Sequence, residues 1–260
     1  MGNVLGKFSH ISNMFRVPQP SRILTVIAAI GLAGCDLSGT QPVGFQARVD
    51  VAERMLLSGQ YDNAYRLLDE VSADNNGRAE AQLSIGNAYL RNRALFKARN
   101  AFNQAIQKGS PVDGQLGLGR VALAQNDSRL AFEKFDLVLV KHPTNKVALN
   151  GRGVAFDLQG EHQRAIAEYK KLLAIDPTNL DALNNLALSH AIGGLGHEAV
   201  GILQDLTESQ LTDVNLRHNL AIAYAVVGRN DAAYKLTASE LPKAEAQRIF
   251  TSVRRYRDSR

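Results

Sequence analysis

Small and apolar residues return along the chain at a nearly constant spacing. One set is Ala52, Gly86, Gly119, Gly153, Ala187 and Ala221, and a second is Ala64, Ala98, Ala131, Ala165, Ala199 and Ala233; both are spaced by 33 or 34 residues. Large residues follow at helical distances: Tyr89, Phe156 and Tyr224 come three after the first set, and Phe102, Phe135 and Tyr169 come four after the second. Positions three or four apart share one face of an α-helix, so each period predicts two amphipathic helices.

A turn between the two helices of a period is indicated by Gly59, Gly160, Gly194 and Gly228, while Pro143 and Pro177 close two of the periods. One helix pair cannot bury its own apolar face, but a stack of pairs forms a continuous core. We therefore predict an all-α protein with six helix-turn-helix repeats, at about 45–78, 79–111, 112–145, 146–179, 180–213 and 214–241.

The clearest repeat, Lys146 to Asn179, reads KVALNGRGVAFDLQGEHQRAIAEYKKLLAIDPTN. Its pattern resembles the tetratricopeptide (TPR) repeat, whose characteristic positions are filled here by Leu149, Gly153, Phe156, Ala165, Tyr169 and Pro177. Arg152 stands where the family usually has leucine, and no repeat has the consensus tryptophan. The resemblance covers about 45–241 and implies a TPR α-solenoid that forms a right-handed superhelix.

The last segment, 242–260, is basic and carries Ala246, Ile249, Phe250 and Val253 at helical spacing. A terminal repeat exposes apolar surface unless another element covers it. We therefore predict that this segment is a basic C-terminal capping helix.

The N-terminal 34 residues differ from the rest of the chain. They contain Lys7, Arg16 and Arg22 but no acidic residue, followed by the 12-residue apolar run ILTVIAAIGLAG. A membrane-spanning helix needs about 20 apolar residues, so the run is too short to cross a bilayer and is typical of a signal peptide. A start at Met14 would shorten this signal peptide to an ordinary length, and the start remains open between Met1 and Met14.

Cys35 is the only cysteine of the chain and directly follows Leu32-Ala33-Gly34. These residues resemble the bacterial lipoprotein box, which implies that Cys35 is acylated and becomes the mature N-terminus. Segment 35–44, rich in small and polar residues, is then a lipidated tether. The resemblance implies a periplasm-facing lipoprotein, with the outer membrane favoured; Asp36 resembles an inner-membrane retention signal, so that membrane stays possible. A buried cysteine in a plain membrane anchor is the alternative.

Charge and motifs argue against nucleic acid binding and catalysis. The net charge is +5, but without the three basic residues of the leader 27 basic residues face 25 acidic ones. The six histidines form no metal-binding motif, and the run GQLGLG at 114–119 has neither the glycine order nor the preceding strand of a phosphate loop. We predict no enzyme activity, metal, cofactor, nucleic acid or small-molecule substrate.

The first helix of each TPR repeat lines the groove of the solenoid, at positions three before and one after the first small residue. The earlier positions are Val49, Leu83, Leu116, Asn150, Asn184 and His218, and the later ones are Glu53, Asn87, Arg120, Val154, Leu188 and Ile222. Polar and apolar residues exchange places between repeats three and four. We predict a peptide-binding groove at Asn87, Arg120, Asn150, Asn184, Leu188, His218 and Ile222, with Glu168 and Lys171 on the opposite, convex face. The alternative is that this pattern arose by sequence drift on a surface that binds no ligand.

A lipidated, exported chain with six repeats resembles the TadD lipoproteins of Flp (tight-adherence) pilus assembly. At similar distance it resembles the pilotin-like lipoproteins of type IV pili. That resemblance implies an envelope protein partner, the secretin or another pilus assembly component. An adaptor that recruits peptidoglycan hydrolases or other envelope enzymes is the second interpretation.

Overall fold

The computed structural model describes residues 44–204 and 213–259. Thirteen α-helices make up these described residues: α1 (Phe45–Leu57), α2 (Tyr61–Asp74), α3 (Ala79–Arg91), α4 (Leu95–Gln107), α5 (Pro111–Ala124), α6 (Ser128–Lys141), α7 (Lys146–Leu158), α8 (His162–Ile175), α9 (Leu180–Ile192), α10 (Gly196–Gln204), α11 (Val214–Val226), α12 (Asn230–Thr237) and α13 (Lys243–Asp258). Six pairs followed by a final helix confirm the predicted fold class. The predicted signal peptide, Cys35 and most of the tether lie outside the described residues.

The first helix of each pair is called its A helix and the second its B helix. The chain divides into two compact units, Met1–Gly109 and Ser110–Arg260. In the first unit, α3 packs against α4, α2 and α1. In the second unit, each later A helix packs against its own B helix and against both helices of the preceding pair.

The turn from the A helix to the B helix has the same conformation in all six pairs. Gly59, Gly160, Gly194 and Gly228 have φ values of 80°, 76°, 90° and 83°. Arg93 and Asn126 occupy the equivalent positions and also have positive φ, at 62° and 59°. The left-handed turn is therefore kept where glycine is absent, although this conformation costs a residue with a Cβ about 1–2 kcal/mol.

Short polar side chains begin several helices. The side chains of Asp127, Asn145, Asn179 and Asp213 accept hydrogen bonds from backbone N–H groups of the first turns of α6, α7, α9 and α11. Each such cap satisfies a donor that would have no partner inside the helix, and it stabilises the helix by about 1 kcal/mol. These caps explain why the helices begin where they do.

The recurring small residues lie where the two helices of a pair cross. All six alanines of the second set are fully buried. A Cβ added at Gly86, Gly119 or Gly153 would lie 2.7, 2.7 or 2.5 Å from the ring of Phe102, Phe135 or Tyr169. Glycine is required there because the aromatic side chain of the B helix fills the space that any side chain on the A helix would occupy.

Candidate protein-interaction surface

The polar residues at the predicted groove positions are partly accessible. Glu53, Asn87, Arg120, Asn150, Asn184 and His218 are all half-buried, each on the A helix of its own repeat. Asn87 belongs to the first unit, and Arg120, Asn150, Asn184 and His218 belong to the second. These side chains are restrained by packing, yet they still present polar atoms to solvent.

The apolar residues at the same positions are in the core. Val154, Leu188 and Ile222 are only 6%, 2% and 1% exposed, and Val49 and Leu116 are buried as well. Neighbouring side chains cover Leu188 and Ile222 in this conformation, and their contact with side chains of a ligand stays a prediction. The exchange of polar and apolar positions reflects which A-helix position enters the core.

Asparagines connect the A helices of the last three repeats. Asn185 Nδ2 donates to Asn150 Oδ1 at 3.0 Å, and Asn219 Nδ2 donates to Asn184 Oδ1 at 2.8 Å. We call these four residues the asparagine ladder. The side-chain oxygens of Asn150 and Asn184 are thus used inside the protein, so the Nδ2 donors of these two residues are the groups that could pair with a ligand.

Similar contacts connect the A helices of the first unit near Asn87. Ser84 Oγ donates to Gln46 Oε1 at 2.9 Å, and Arg91 forms an ion pair with Glu53. Burial lowers the pKa of Arg91, and the nearby charge of Asp50 opposes this effect. Asn87 therefore lies on a polar face on which charges are already paired.

Arg152, which departs from the TPR pattern, joins two B helices. Its guanidinium donates to Asp136 Oδ1 of α6 at 2.5 Å and to Glu168 Oε2 of α8 at 2.8 Å. Lys171 Nζ donates to the other oxygen of Glu168 at 2.8 Å. Glu168 is 4% exposed. Glu168, which the sequence places on the convex face, is thus not an exposed position, and its removal would leave Arg152 with one carboxylate fewer in a partly buried site.

A buried polar cluster, which sequence reasoning missed, is centred on Asp157. Asp157 Oδ1 lies 2.8 Å from His162 Nδ1, while Oδ2 accepts from Tyr169 Oη at 2.9 Å and Ser189 Oγ at 2.5 Å. Burial, followed by the charge of Asp157 and its hydrogen bond, raises the pKa of Tyr169. The cluster connects α7, α8 and α9, and no single repeat contains all of its members.

The geometry of this cluster indicates a structural role. In a Ser-His-Asp triad the serine hydroxyl donates to the histidine, whereas here Ser189 donates directly to the carboxylate that also contacts the histidine. Within 44–204 and 213–259 no group of three or more His, Cys, Asp or Glu side chains could hold a metal ion. In the same ranges no helix has the length and hydropathy needed to span a bilayer.

His218, the last predicted groove residue, is engaged by the chain itself. Its Nε2 lies 3.5 Å from Glu240 Oε2, and Glu240 also accepts from Arg217 and from Ser239 Oγ. Burial opposes ionisation of Glu240, but the hydrogen bonds from Ser239 and Arg217 and the charges of Arg217 and His218 outweigh it and lower the pKa. The turn between α12 and α13 therefore restrains two polar side chains of the sixth repeat, Arg217 and His218.

Residues 58–114 and 116–180 match the family model described as tetratricopeptide repeat. Over these two segments the chain is similar to TPR repeats. TPR domains bind protein partners. No curated protein sequence matches the chain.

Solved structures share the fold at low sequence identity. PilW, a widely conserved type IV pilus biogenesis factor, is 19% identical with a TM-score of 0.61, and the match covers 75% of this chain and 91% of PilW. A thermophilic TPR protein from Thermus thermophilus is 20% identical with a TM-score of 0.58, over 69% of this chain and 98% of that protein. A TPR protein from Parabacteroides merdae is 14% identical with a TM-score of 0.57, over 82% and 98%.

Proposed function

We propose that this TPR protein is a lipid-anchored scaffold that faces the periplasm and assists assembly of a pilus machine, most specifically the placement of its secretin. The observation that carries the proposal is the lipobox-like cysteine Cys35, ten residues before the first TPR helix at Phe45. An acylated N-terminus would attach the scaffold to a membrane, and the short tether would keep the repeats close to it.

Two further observations support a role in assembly. The fold is shared with PilW, a type IV pilus biogenesis factor, over three quarters of this chain. The A helices also present half-buried polar side chains in every repeat, and their partial immobilisation lowers the entropy that binding would cost. The groups offered to a partner are polar. In the second unit the amide donors of Asn150 and Asn184 would pair with acceptors on a peptide, and in the first unit Asn87 offers the same kind of donor.

The test is assembly of the secretin in the native bacterium. Deleting the gene should reduce the detergent-resistant secretin multimer seen on immunoblots, and the wild-type gene should restore it. A gene encoding Cys35→Ser should fail to restore it, whereas Gly201→Ala, a change on the exposed side of α10, should restore it fully.

The alternative adaptor role makes a different prediction. Normal secretin multimers in the deletion strain, together with defective cell separation, would contradict the pilus proposal and favour recruitment of peptidoglycan hydrolases. Normal multimers with normal cell separation would contradict both roles.

A further inference from the structure

The terminal helix α13 does not pack as the A helix of a seventh repeat would. In the described part of the second unit, A helices α7, α9 and α11 contact the preceding pair and no A helix two repeats back. Helix α13 contacts α12 and α11, and in addition it reaches back to α9. It therefore lies across the A helices of repeats five and six.

An apolar stripe and two arginines hold α13 in this position. Ala246, Phe250 and Val253 are 1%, 2% and 2% exposed, and the Phe250 ring lies 5.6 Å from that of Tyr234 on α12. Near the end of the helix, Arg257 donates to the backbone oxygen of Val226 at 2.9 Å, and Arg254 donates to Asn230. The opposite face of α13, with Gln247, Arg248 and Arg255, is exposed.

The asparagine ladder ends on α11, one of the two A helices that α13 contacts. Asn219 of α11 is 2% exposed, and its Oδ1 has no hydrogen-bond partner among the described residues. Buried acceptors are normally satisfied, so this one is an exception that needs an explanation. Leu188 and Ile222, at the predicted groove positions of α9 and α11, are buried as well, as is Val154 at the equivalent position of α7.

We propose that α13 is a displaceable internal ligand: α9 and α11 form a helix-binding surface, and α13 masks it until a partner helix of the same chemistry takes its place. The proposal rests on the proposed role as an interaction scaffold. The partner is an amphipathic helix with a small residue, an aromatic and a branched aliphatic at i, i+4 and i+7, as in Ala246, Phe250 and Val253. A donor on the partner helix would satisfy the acceptor of Asn219, which α13 leaves unpaired.

The experiment measures binding of a synthetic peptide to the purified full chain. The probe is a fluorescein-labelled peptide with the sequence of residues 243–259, followed by fluorescence anisotropy. In the wild-type chain the tethered α13 competes at high effective concentration, so the peptide should bind poorly. Phe250→Glu releases the tethered helix and should tighten peptide binding by roughly tenfold or more. Gln247→Glu, the same charge change on the exposed face, should bind like wild type.

Three outcomes would overturn the proposal. The first is equal binding, or no binding, of the peptide by the three chains. The second is that a peptide carrying Phe250→Glu binds as tightly as the unmodified peptide. The third is that the Phe250→Glu chain loses more helicity than the unfolding of α13 alone accounts for. Hydrogen exchange on the wild-type chain gives a check without mutation: α13 amides should open before those of α11, and opening only together with α11 contradicts displacement. Purified components are used, so a failure here is separate from a failure of the secretin test.

Discussion

At the scale of single residues, the packing of each repeat depends on a matched pair across the helix crossing. Where the A helix has glycine, the B helix supplies a ring: Phe102, Phe135 and Tyr169. Where the A helix has Ala52, Ala187 or Ala221, the equivalent B-helix residue is smaller: Leu68, Leu203 or Thr237, all of them buried. The summed volume is thereby nearly constant at the first five crossings, as a close-packed core requires, and it is smaller only at the pair Ala221 and Thr237 of the terminal repeat.

Gly153→Ala tests this matching. The new Cβ would lie 2.5 Å from Cε1 of Tyr169, a fully buried ring whose hydroxyl is held by Asp157. The ring cannot move aside without breaking that hydrogen bond, so we expect the free energy of unfolding to fall by about 1–3 kcal/mol despite the better helix propensity of alanine. Urea unfolding followed by circular dichroism measures the change.

Gly201→Ala is the matched control, because a Cβ at Gly201 meets no atom within 4 Å. Alanine there should be neutral or stabilise the protein by up to about 1 kcal/mol, through helix propensity alone. Equal effects of the two substitutions would contradict the packing assignment.

At the scale of helices, polar side chains as well as apolar ones attach one repeat to the next. The asparagine ladder joins α7 to α9 and α9 to α11, and the Asp157 cluster joins α7, α8 and α9. Removing one member of a buried pair costs more than the bond contributed, because the other member keeps its desolvation cost. The ladder is therefore part of the fold as well as part of the candidate surface.

Replacing both Asn150 and Asn184 by alanine should lower stability, because both side chains connect neighbouring A helices. The change removes the acceptors of Asn185 and Asn219 and should lower the free energy of unfolding by about 1–3 kcal/mol in total. Denaturant unfolding followed by circular dichroism measures the loss.

The matched control is the same double change at Asn100 and Asn103, two exposed asparagines on α4. It brings the same gain in helix propensity without removing a buried acceptor, so the control should be at least as stable as wild type. A ladder variant as stable as this control would show that the ladder contributes nothing.

At the scale of the whole molecule, the proposed membrane attachment would depend on one atom, the sulfur of Cys35. Each buried methylene of an acyl chain contributes about 0.8 kcal/mol, so several chains hold a protein on a membrane and none leaves it soluble. We expect Cys35→Ser to move the protein from the membrane fraction to the soluble periplasmic fraction, as followed by fractionation and immunoblot. A Cys35→Ser protein that stays firmly membrane-bound, at normal level and uncleaved, would identify the N-terminal segment as a plain anchor.

The sequence alone determined the repeat architecture, because a helix pair of constant length must place its small residues at a constant spacing to pack against the next pair. Helix-crossing positions such as Ala165 and Gly153 could therefore be predicted from the repeat spacing. The left-handed turns at Arg93 and Asn126 were missed, since arginine does not indicate that conformation and asparagine indicates it less strongly than glycine does. The tertiary structure imposes the left-handed conformation at these two residues.

Only the tertiary structure decided which surface positions are available. Leu188 and Ile222 carry the same periodic signal whether or not other helices cover them, and Glu168 resembles a solvent-facing glutamate until Arg152 approaches it. The Asp157 cluster draws residues from two repeats and three helices, and it follows no period along the chain. Periodicity reports contacts that recur in every repeat, whereas burial and pairing of individual side chains depend on neighbours that occur once.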